Sequence, residues 1–405
     1  MKKIILSLIT LLSLVTVNAQ EDKKEMTVKY RRSSLYTMMV EDASIPHADV
    51  IKSAFEKGPI PEKFNDHIIG SRMIPTDNQE DQTQNINTYM ETNGVAKQLV
   101  AKWFNRSAKG GFDMGLIQSR GSYDASVSDI ATAKSSKRGV QMLADAGEEL
   151  IKNTFVLVNV YKYVSKEEVA KKASGLLKSV GSFASIVPGG SSVSNTATLA
   201  SEGVTIAGKG YVVKTTAHLY RLEWNDEVAA TFYNDYWADD KTITNEKKKA
   251  FDDSNLFKLV YVGSDVSWAD VQSTVFTKKT DDELIERATI KAVDAVIIEL
   301  QKNHDEFKTK TPLFTGEPIT AKIGVKEGVN AKSKFDVLEQ QIDENGKTSY
   351  VVVGSVKVDE DFPIWDNRYG AEEENPDSKT DRTFFKKVSG KEFYPGMLIV
   401  QKKGK

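Results

Sequence analysis

The side chains that could bind a metal or transfer a proton are scattered along the chain. There are four histidines, His47, His67, His218 and His304, and no cysteine. Asp66 and His67 are adjacent and cannot share one face of a helix or strand, and no two histidines have a metal-ligand spacing. His218 falls on the apolar face of a predicted strand, where we expect a core or interface histidine. We therefore assign no catalytic residue, cofactor contact or metal ligand.

Two further patterns resemble binding motifs, but each lacks part of the motif. Gly203 to Lys209 matches the first seven positions of a phosphate-binding loop, but the eighth position is Gly210 instead of the Ser or Thr that holds magnesium. The acidic stretch from Asp359 to Asp381 offers oxygen ligands without the EF-hand spacing, so we expect a solvated loop. The two carboxylates of a glycoside hydrolase meet in the folded structure and have no fixed spacing in the sequence, so the sequence cannot identify such a pair.

Aromatic side chains are concentrated in one short region. Trp224, Tyr233, Tyr236 and Trp237 could form a platform on which a sugar ring stacks. Together with Phe232 they could instead belong to a core cluster beside a long strand, which is the interpretation we favour. Motifs for a serine nucleophile, G-x-S-x-G and Ser-x-x-Lys, are absent from the sequence.

The composition is that of a folded protein without a polyanion-binding charge. Of 405 residues, 40% are hydrophobic and 28% are charged, which excludes collagen-like and globally disordered chains. Lys and Arg total 55 and Asp and Glu total 57, so nucleic acid is a poor default partner. No later stretch is apolar enough to predict a transmembrane segment, and peripheral contact with a membrane stays open.

Residues 1–19 have the layout of a secretion signal. Lys2 and Lys3 precede an apolar run, and Val17-Asn18-Ala19 is an acceptable cleavage site. We predict cleavage before Gln20 and export to the periplasm or the cell surface. An exported protein without disulfides favours a bacterial envelope, and a mature amino-terminal Gln20 resembles exported proteins of the Bacteroides group.

Beyond the signal, the sequence predicts three further regions. Residues 20–90 form an extension whose fold stays open, residues 91–310 an α/β domain with an insertion at 179–210, and residues 311–405 a small β domain. In the middle region the predicted strands are Phe112–Gln118, Phe155–Val160, Tyr211–Trp224 and Leu256–Val262, and the predicted helices include Val95–Phe104, Ser128–Ile151 and Asp281–Lys308. Thr280 and Glu283 make a capping box for the last helix.

After Pro312 the apolar period changes from 3.6 to 2. Strands are predicted at Ile319–Val325, Phe335–Ile342, Tyr350–Val358 and Met397–Gln401, with a hairpin turn at Asn345-Gly346. We expect this region to fold independently. The fold class is therefore α+β or α/β, with a central mixed sheet and helices followed by a small C-terminal β-barrel-like domain.

The insertion is rich in Gly, Ser and Ala and poor in charge. Small side chains bury little apolar area, so a mobile insertion is one interpretation. We predict that the insertion is mobile in the free protein and that its apolar side chains supply part of a partner contact. The alternative is that these side chains pack on the parent domain. The partner-contact candidates are Phe183, Ile186, Val187, Val193 and Leu199, with Val204 and Ile206 beyond them.

The order of elements from about residue 110 resembles the α/β domain of curli-secretion outer-membrane proteins and the amino-terminal domain of TolB. The tail is similar to the small β domains of flagellar-assembly accessory proteins, whose glycine and apolar pattern corresponds here to Gly324, Gly328, Phe335 and Val337. The chain lacks the lipidated cysteine of the curli family. This resemblance implies no catalytic residues.

Two functions remain in competition. The first is a non-catalytic exported envelope protein, a scaffold or binding module for a protein or a cell-wall component. The alternative is a secreted hydrolase that acts on polysaccharide with a carboxylate pair and the aromatic platform. The sequence leaves the oligomeric state open.

Overall fold

A computed structural model describes residues 33–79, 81–124, 150–165, 210–272, 279–342 and 348–402. Its N-terminal part is an α/β unit and its C-terminal part is a β-barrel. The strands of the α/β unit are β1 (Ser33–Glu41), β2 (Phe64–Asp66), β3 (Met73–Pro75), β4 (Thr154–Ser165), β5 (Gly210–Leu222) and β6 (Leu259–Gln272). Its helices are α1 (Ala48–Lys57), α2 (Thr83–Thr92), α3 (Val95–Trp103), α4 (Gly115–Asp124), α5 (Asp226–Thr231), α6 (Asn245–Asp252) and α7 (Asp281–Asn303).

The strands of the α/β unit form one mixed sheet in the order β2, β1, β4, β5, β6, with β3 also paired to β1. β1 is parallel to β2, β3 and β4, while β4 and β5 and then β5 and β6 pair antiparallel. β1 thus lies inside the sheet. Residues 33–79, whose fold the sequence left open, belong to the α/β unit.

The two faces of this sheet have different coverings. On one, which we call the aromatic face, even-numbered residues of β1 and β4 such as Met38 and Val156 pack with α2, α3 and Phe232. On the other, the helix-pair face, odd-numbered residues such as Met39 and Leu157 pack under α1 and α7. Burial on both faces explains why β4 is a continuous apolar run.

The C-terminal region is a closed six-stranded barrel in the order β10, β11, β8, β7, β12, β9. The strands are β7 (Thr311–Gly316), β8 (Ile319–Ala321), β9 (Lys334–Ile342), β10 (Thr348–Val358), β11 (Thr383–Gly390) and β12 (Leu398–Gln401), and a short helix α8 (Ala371–Glu374) precedes β11. Phe335 and Val337 of the sequence pattern are fully buried in its core. The predicted fold class, a mixed sheet with helices and a C-terminal β-barrel, is confirmed.

Several predicted elements differ in detail. Phe112–Gln118 is not a strand: α4 starts at Gly115, whose N–H is bound by the Asp113 carboxylate at 2.7 Å. The capping box of Thr280 and Glu283 opens α7 as predicted. α7 ends at Asn303, before the predicted Lys308, because His304 turns extended and a short 3₁₀ turn follows.

Two predicted features lie outside the described residues. These are most of the helix Ser128–Ile151 and the turn at Asn345-Gly346. β9 and β10, the strands on either side of that turn, do pair antiparallel. Among the described helices, none is both long and apolar enough to cross a bilayer.

Candidate functional site

The predicted aromatic residues come together, but as core packing. Trp224 is buried, with its ring centroid 5.7 Å from those of Phe104 and Phe232. Tyr233, Tyr236 and Trp237 are half-buried and pack against the same cluster. A π-helical turn at Phe232–Tyr236 directs these rings inward. Trp224 therefore has no free face for a sugar, and the favoured interpretation of a core cluster accounts for the group.

Carboxylates gather elsewhere, in an open groove of about 360 Å³ between α1 and α7. Asp49, Asp282, Glu283 and Glu286 line it together with Lys57. Hydrogen bonds from the Thr280 backbone and hydroxyl lower the pKa of Glu283, which is the capping residue of α7. The groove belongs to the helix-pair face, on the side of the sheet opposite the aromatic cluster.

Three carboxylates of the acidic stretch that begins at Asp359 are paired with nearby cationic side chains. Lys386 Nζ lies 2.9 Å from Asp359 and 2.5 Å from Asp361. Arg368 donates to Asp366 and lowers the pKa of that carboxyl. These oxygens already have cationic partners, and no group of three metal-binding side chains comes together within the described residues.

The most buried histidine belongs to a polar network at one end of the sheet. His67 is fully buried, and its Nε2 lies 3.0 Å from the Leu99 carbonyl while Nδ1 lies 2.9 Å from Arg120 Nη1. Its ring stacks on Trp103, which the Arg120 guanidinium also covers. Burial lowers the pKa of His67 to about 3, so it stays neutral, with Nε2–H donating and Nδ1 accepting. Because its ring is neutral and both ring nitrogens are hydrogen-bonded, we interpret His67 as a structural residue.

Across the helix-pair face runs a row of buried polar groups, the polar band, formed by Asn159, Tyr161, Thr215 and Ser267. Thr215 pairs with Tyr161 on one side and with Ser267 on the other, and all four belong to the same sheet face. Asn159 Oδ1 and the three hydroxyls have no hydrogen-bond partner in the part of the chain that the structure describes. The band separates two apolar clusters under α7.

The longest surface strand is β6, at the edge of the sheet. It spans 14 residues, about 45 Å when extended, and pairs with β5 along its whole length. No backbone group in the described ranges bonds to its outer edge. In contrast, the strands at the other side of the sheet, β2 and β3, have three residues each. β6 therefore presents a long row of backbone donors and acceptors.

The side chains of β6 offer little protection against pairing. Natural edge strands usually carry lysine, proline or bulges that block a further strand. β6 has neither lysine nor proline, and one bulge interrupts its register near Val262. Val260, Tyr261 and Val266 are 41%, 48% and 44% exposed. An extended segment could add to this edge through backbone hydrogen bonds and apolar contacts.

The C-terminal end of α7 holds β6 in place. The His304 ring packs on Gly263 so closely that a Cβ there would lie 2.2 Å from a ring carbon. Asp265 binds His304 Nε2 at 3.0 Å and Asn303 Nδ2 at 2.7 Å. Because α7 fixes one of the two charged residues of β6, the edge is preorganised for a binding partner.

The predicted strand Leu256–Val262 covers only the first four residues of β6. Alternation of Val266 and Trp268 with small residues was a usable signal for the second half. The partner-contact candidates of the insertion, from Phe183 to Leu199, lie outside the described residues. The remaining histidine on β5, His218, is buried with its Nδ1 unpartnered among described residues, and burial lowers its pKa.

Comparison with known proteins adds no relative. No protein-family model matches the chain, and no curated protein matches it significantly.

Proposed function

We propose that this chain is an exported, non-catalytic envelope protein that serves as a scaffold or binding module. Its partner is a protein or a cell-wall component of the same compartment. The observation that carries this proposal is the long edge of β6, whose outer backbone groups have no backbone partner within the described ranges, together with exposed Val260, Tyr261 and Val266. Strand addition at this edge is the mode of binding that its chemistry favours.

Two parts of the proposal, export and the family resemblance, are based on the sequence. Residues 1–19 support passage out of the cytoplasm, to the periplasm or the surface. The resemblance to curli-secretion and TolB-like α/β domains, followed by a flagellar-accessory-like β domain, supports an envelope role without catalysis. We keep both as parts of the proposal.

A polysaccharide hydrolase gains no support from the described residues. Such an enzyme would place a carboxylate pair beside the aromatic platform. The acidic groove and the aromatic cluster instead lie on opposite faces of the sheet. One carboxylate of the groove, Glu283, is occupied in capping α7.

The proposal is tested by capture of partners from an envelope extract. The bait is the tagged chain without residues 1–19, compared with a Val266→Lys variant. Lysine at an exposed edge position is charged and hydrated, so it opposes pairing with a further strand while the fold is kept. We expect the wild-type protein to retain a specific envelope component and the variant to lose most of it.

The matched control is Val388→Lys in β11, where an exposed valine is changed in the same way on the barrel instead of the sheet that contains β6. This variant should retain the partner. Equal capture by all three proteins would show that β6 is not the binding surface. Release of reducing sugar from cell-wall polysaccharide by the pure protein would show that the protein is a hydrolase and not a binding module.

A further inference from the structure

The barrel meets the α/β unit at a close contact that we call the domain junction, formed by α7 and the loop Gly324–Gly328. Gly328 has a left-handed backbone, φ 75°, and a Cβ there would lie 2.9 Å from Ile298 Cγ2 of α7. A Cβ on Gly324 would lie 2.2 Å from the Trp365 carbonyl oxygen. Both glycines of the tail pattern thus permit close approach. Because α7 and the barrel loop are tightly packed here, a change in charge at the domain junction affects how well the two surfaces fit together.

One carboxylate of α7 is buried at this junction. The Asp294 side chain is 14% exposed and lies 3.6 Å from Lys326 Nζ of the barrel. The hydrogen bond that acts on the pKa of this carboxylate comes from the Lys326 side chain. A buried carboxylate with one distant cationic partner is poorly compensated for its lost hydration.

The charged groups around Asp294 come from three directions. Lys326 and Glu327 face it from the barrel, and Glu62 faces it from the segment after α1. Lys63, next to Glu62 in the sequence, interacts with Glu62, Glu327 and Lys326. Lys63 Nζ also donates to the Lys322 carbonyl across the junction at 2.5 Å.

Arg72 lines the same small pocket as Asp294, but its guanidinium donates to the carbonyls of Thr37 and Glu56. On its own helix, Arg287 lies two turns and Lys291 one turn before Asp294, and they face the neighbouring barrel segment near Gly370 and Asp366, respectively.

One lysine and two glutamates face Asp294, and burial has the largest influence on which form of the carboxyl group is favoured. Transfer from water and the two glutamates disfavour the ionised carboxylate, while Lys326 favours it. Burial accordingly raises the pKa of Asp294 to about 6 from its ordinary 3.8, against the attraction of Lys326.

We propose that Asp294 is a proton-binding site that controls the docking of the barrel on α7, and that docking tightens as the pH falls from neutral. The sign follows from linkage: when the barrel separates, water reaches the carboxylate and its pKa returns toward the ordinary value, so the docked state binds the proton more tightly. At neutral pH the ionised form weakens the junction, and acidification removes that cost. The inference is independent of the proposed function.

The test measures the distance between two spin labels across the junction. The chain has no cysteine, so Glu91→Cys in α2 and Lys332→Cys in the barrel, both at exposed positions, give unique labels in the full chain without residues 1–19. Between about pH 5 and about pH 8 we expect the ratio of undocked to docked molecules to rise about tenfold.

Asp294→Asn imitates the protonated side chain and should stay docked at both pH values. Asp336→Asn is the matched control, because Asp336 also pairs with a lysine, Lys402, at 2.7 Å but belongs to the barrel. It should respond to pH like the unchanged protein. The same pH response in Asp294→Asn, or no response in the unchanged protein, would overturn the proposal.

A second measurement covers the case in which the asparagine variant fails to fold. The carboxyl carbon of Asp294 can be titrated by NMR in the otherwise unchanged protein. A midpoint near the value of about 6 supports the proposal, and a midpoint near the ordinary 3.8 contradicts it.

Discussion

The two faces of the central sheet are packed by different chemistry. On the aromatic face, Phe232 is fully buried, and rings surround it within about 6.5 Å between centroids, among them Phe104, Phe112 and Phe251. On the helix-pair face, the polar band divides the apolar surface into two smaller clusters. The first face concentrates the stabilising burial of large rings, while the second places hydroxyl and amide groups where apolar atoms would fit.

This difference indicates that the aromatic face is the main source of stability, while the helix-pair face contains groups that lower the free energy of unfolding. Interlocked rings bury much apolar area and couple to one another, so their loss should be expensive. Buried polar atoms without a partner lower the free energy of unfolding, and their removal should be cheap or favourable. The surface features of functional interest, the edge of β6 and the domain junction, are anchored by α7 on the helix-pair side.

The largest effect should come from the aromatic face. Phe232→Ala removes a fully buried ring from the centre of the cluster, and we expect the free energy of unfolding to fall by about 3–5 kcal/mol. Urea denaturation measures this change. Phe362→Ala, at a position 46% exposed on the barrel, is the control and should cost much less. Equal costs would show that the aromatic face is not the main source of stability.

A medium effect should appear as pH dependence at His67. The folded pKa of about 3 lies below the ordinary 6.5, so stability is fully present above 6.5 and is lost as the pH falls below it. Between about pH 7 and about pH 5 this group should cost about 2 kcal/mol. His67→Gln keeps a donor for Leu99 and an acceptor for Arg120 but does not titrate.

The measurement compares unfolding of the wild-type protein and His67→Gln at both pH values. The difference between the two proteins should change by that amount, because the other titrating groups are common to both. A difference that does not change with pH would mean that His67 is not held neutral.

The smallest expected effect concerns two tyrosine hydroxyls, one on each face of the sheet. Tyr220 OH donates to Asn87 Oδ1 at 2.7 Å on the aromatic face, so Tyr220→Phe should cost about 1 kcal/mol. Tyr161 OH belongs to the polar band, and Tyr161→Phe should leave stability unchanged or raise it by a similar amount. Thermal unfolding followed by circular dichroism distinguishes the two signs. A clear loss in Tyr161→Phe would show that the band is satisfied in solution.

The elements with a strong local signal could be predicted from the sequence. The apolar run of β4 and the capping box of α7 are local patterns, and both predictions agree with the structure. Phe112, Met114 and Leu116 alternate like a strand, yet Asp113 and Gly115 start a helix there. Local hydrogen bonding by Asp113 outweighed the apolar period.

Features that depend on distant residues could not be predicted. The polar band combines Asn159, Thr215 and Ser267 from three strands, and only the register of the sheet brings them together. Asp294 and Lys326 likewise meet only after the barrel docks on α7. The edge position of β6 follows from strand order, which a single sequence does not reveal.

The central claim is that the edge of β6 is a binding surface, and photo-crosslinking in intact cells tests it most directly. A photoreactive phenylalanine replaces Tyr261 on β6 or, as a control, Tyr394 on the barrel, which are 48% and 50% exposed. We expect a discrete crosslinked product at Tyr261, reduced when Val266→Lys is combined with it, and no such product at Tyr394. Absence of a product at Tyr261, or the same product from both positions, would contradict this claim.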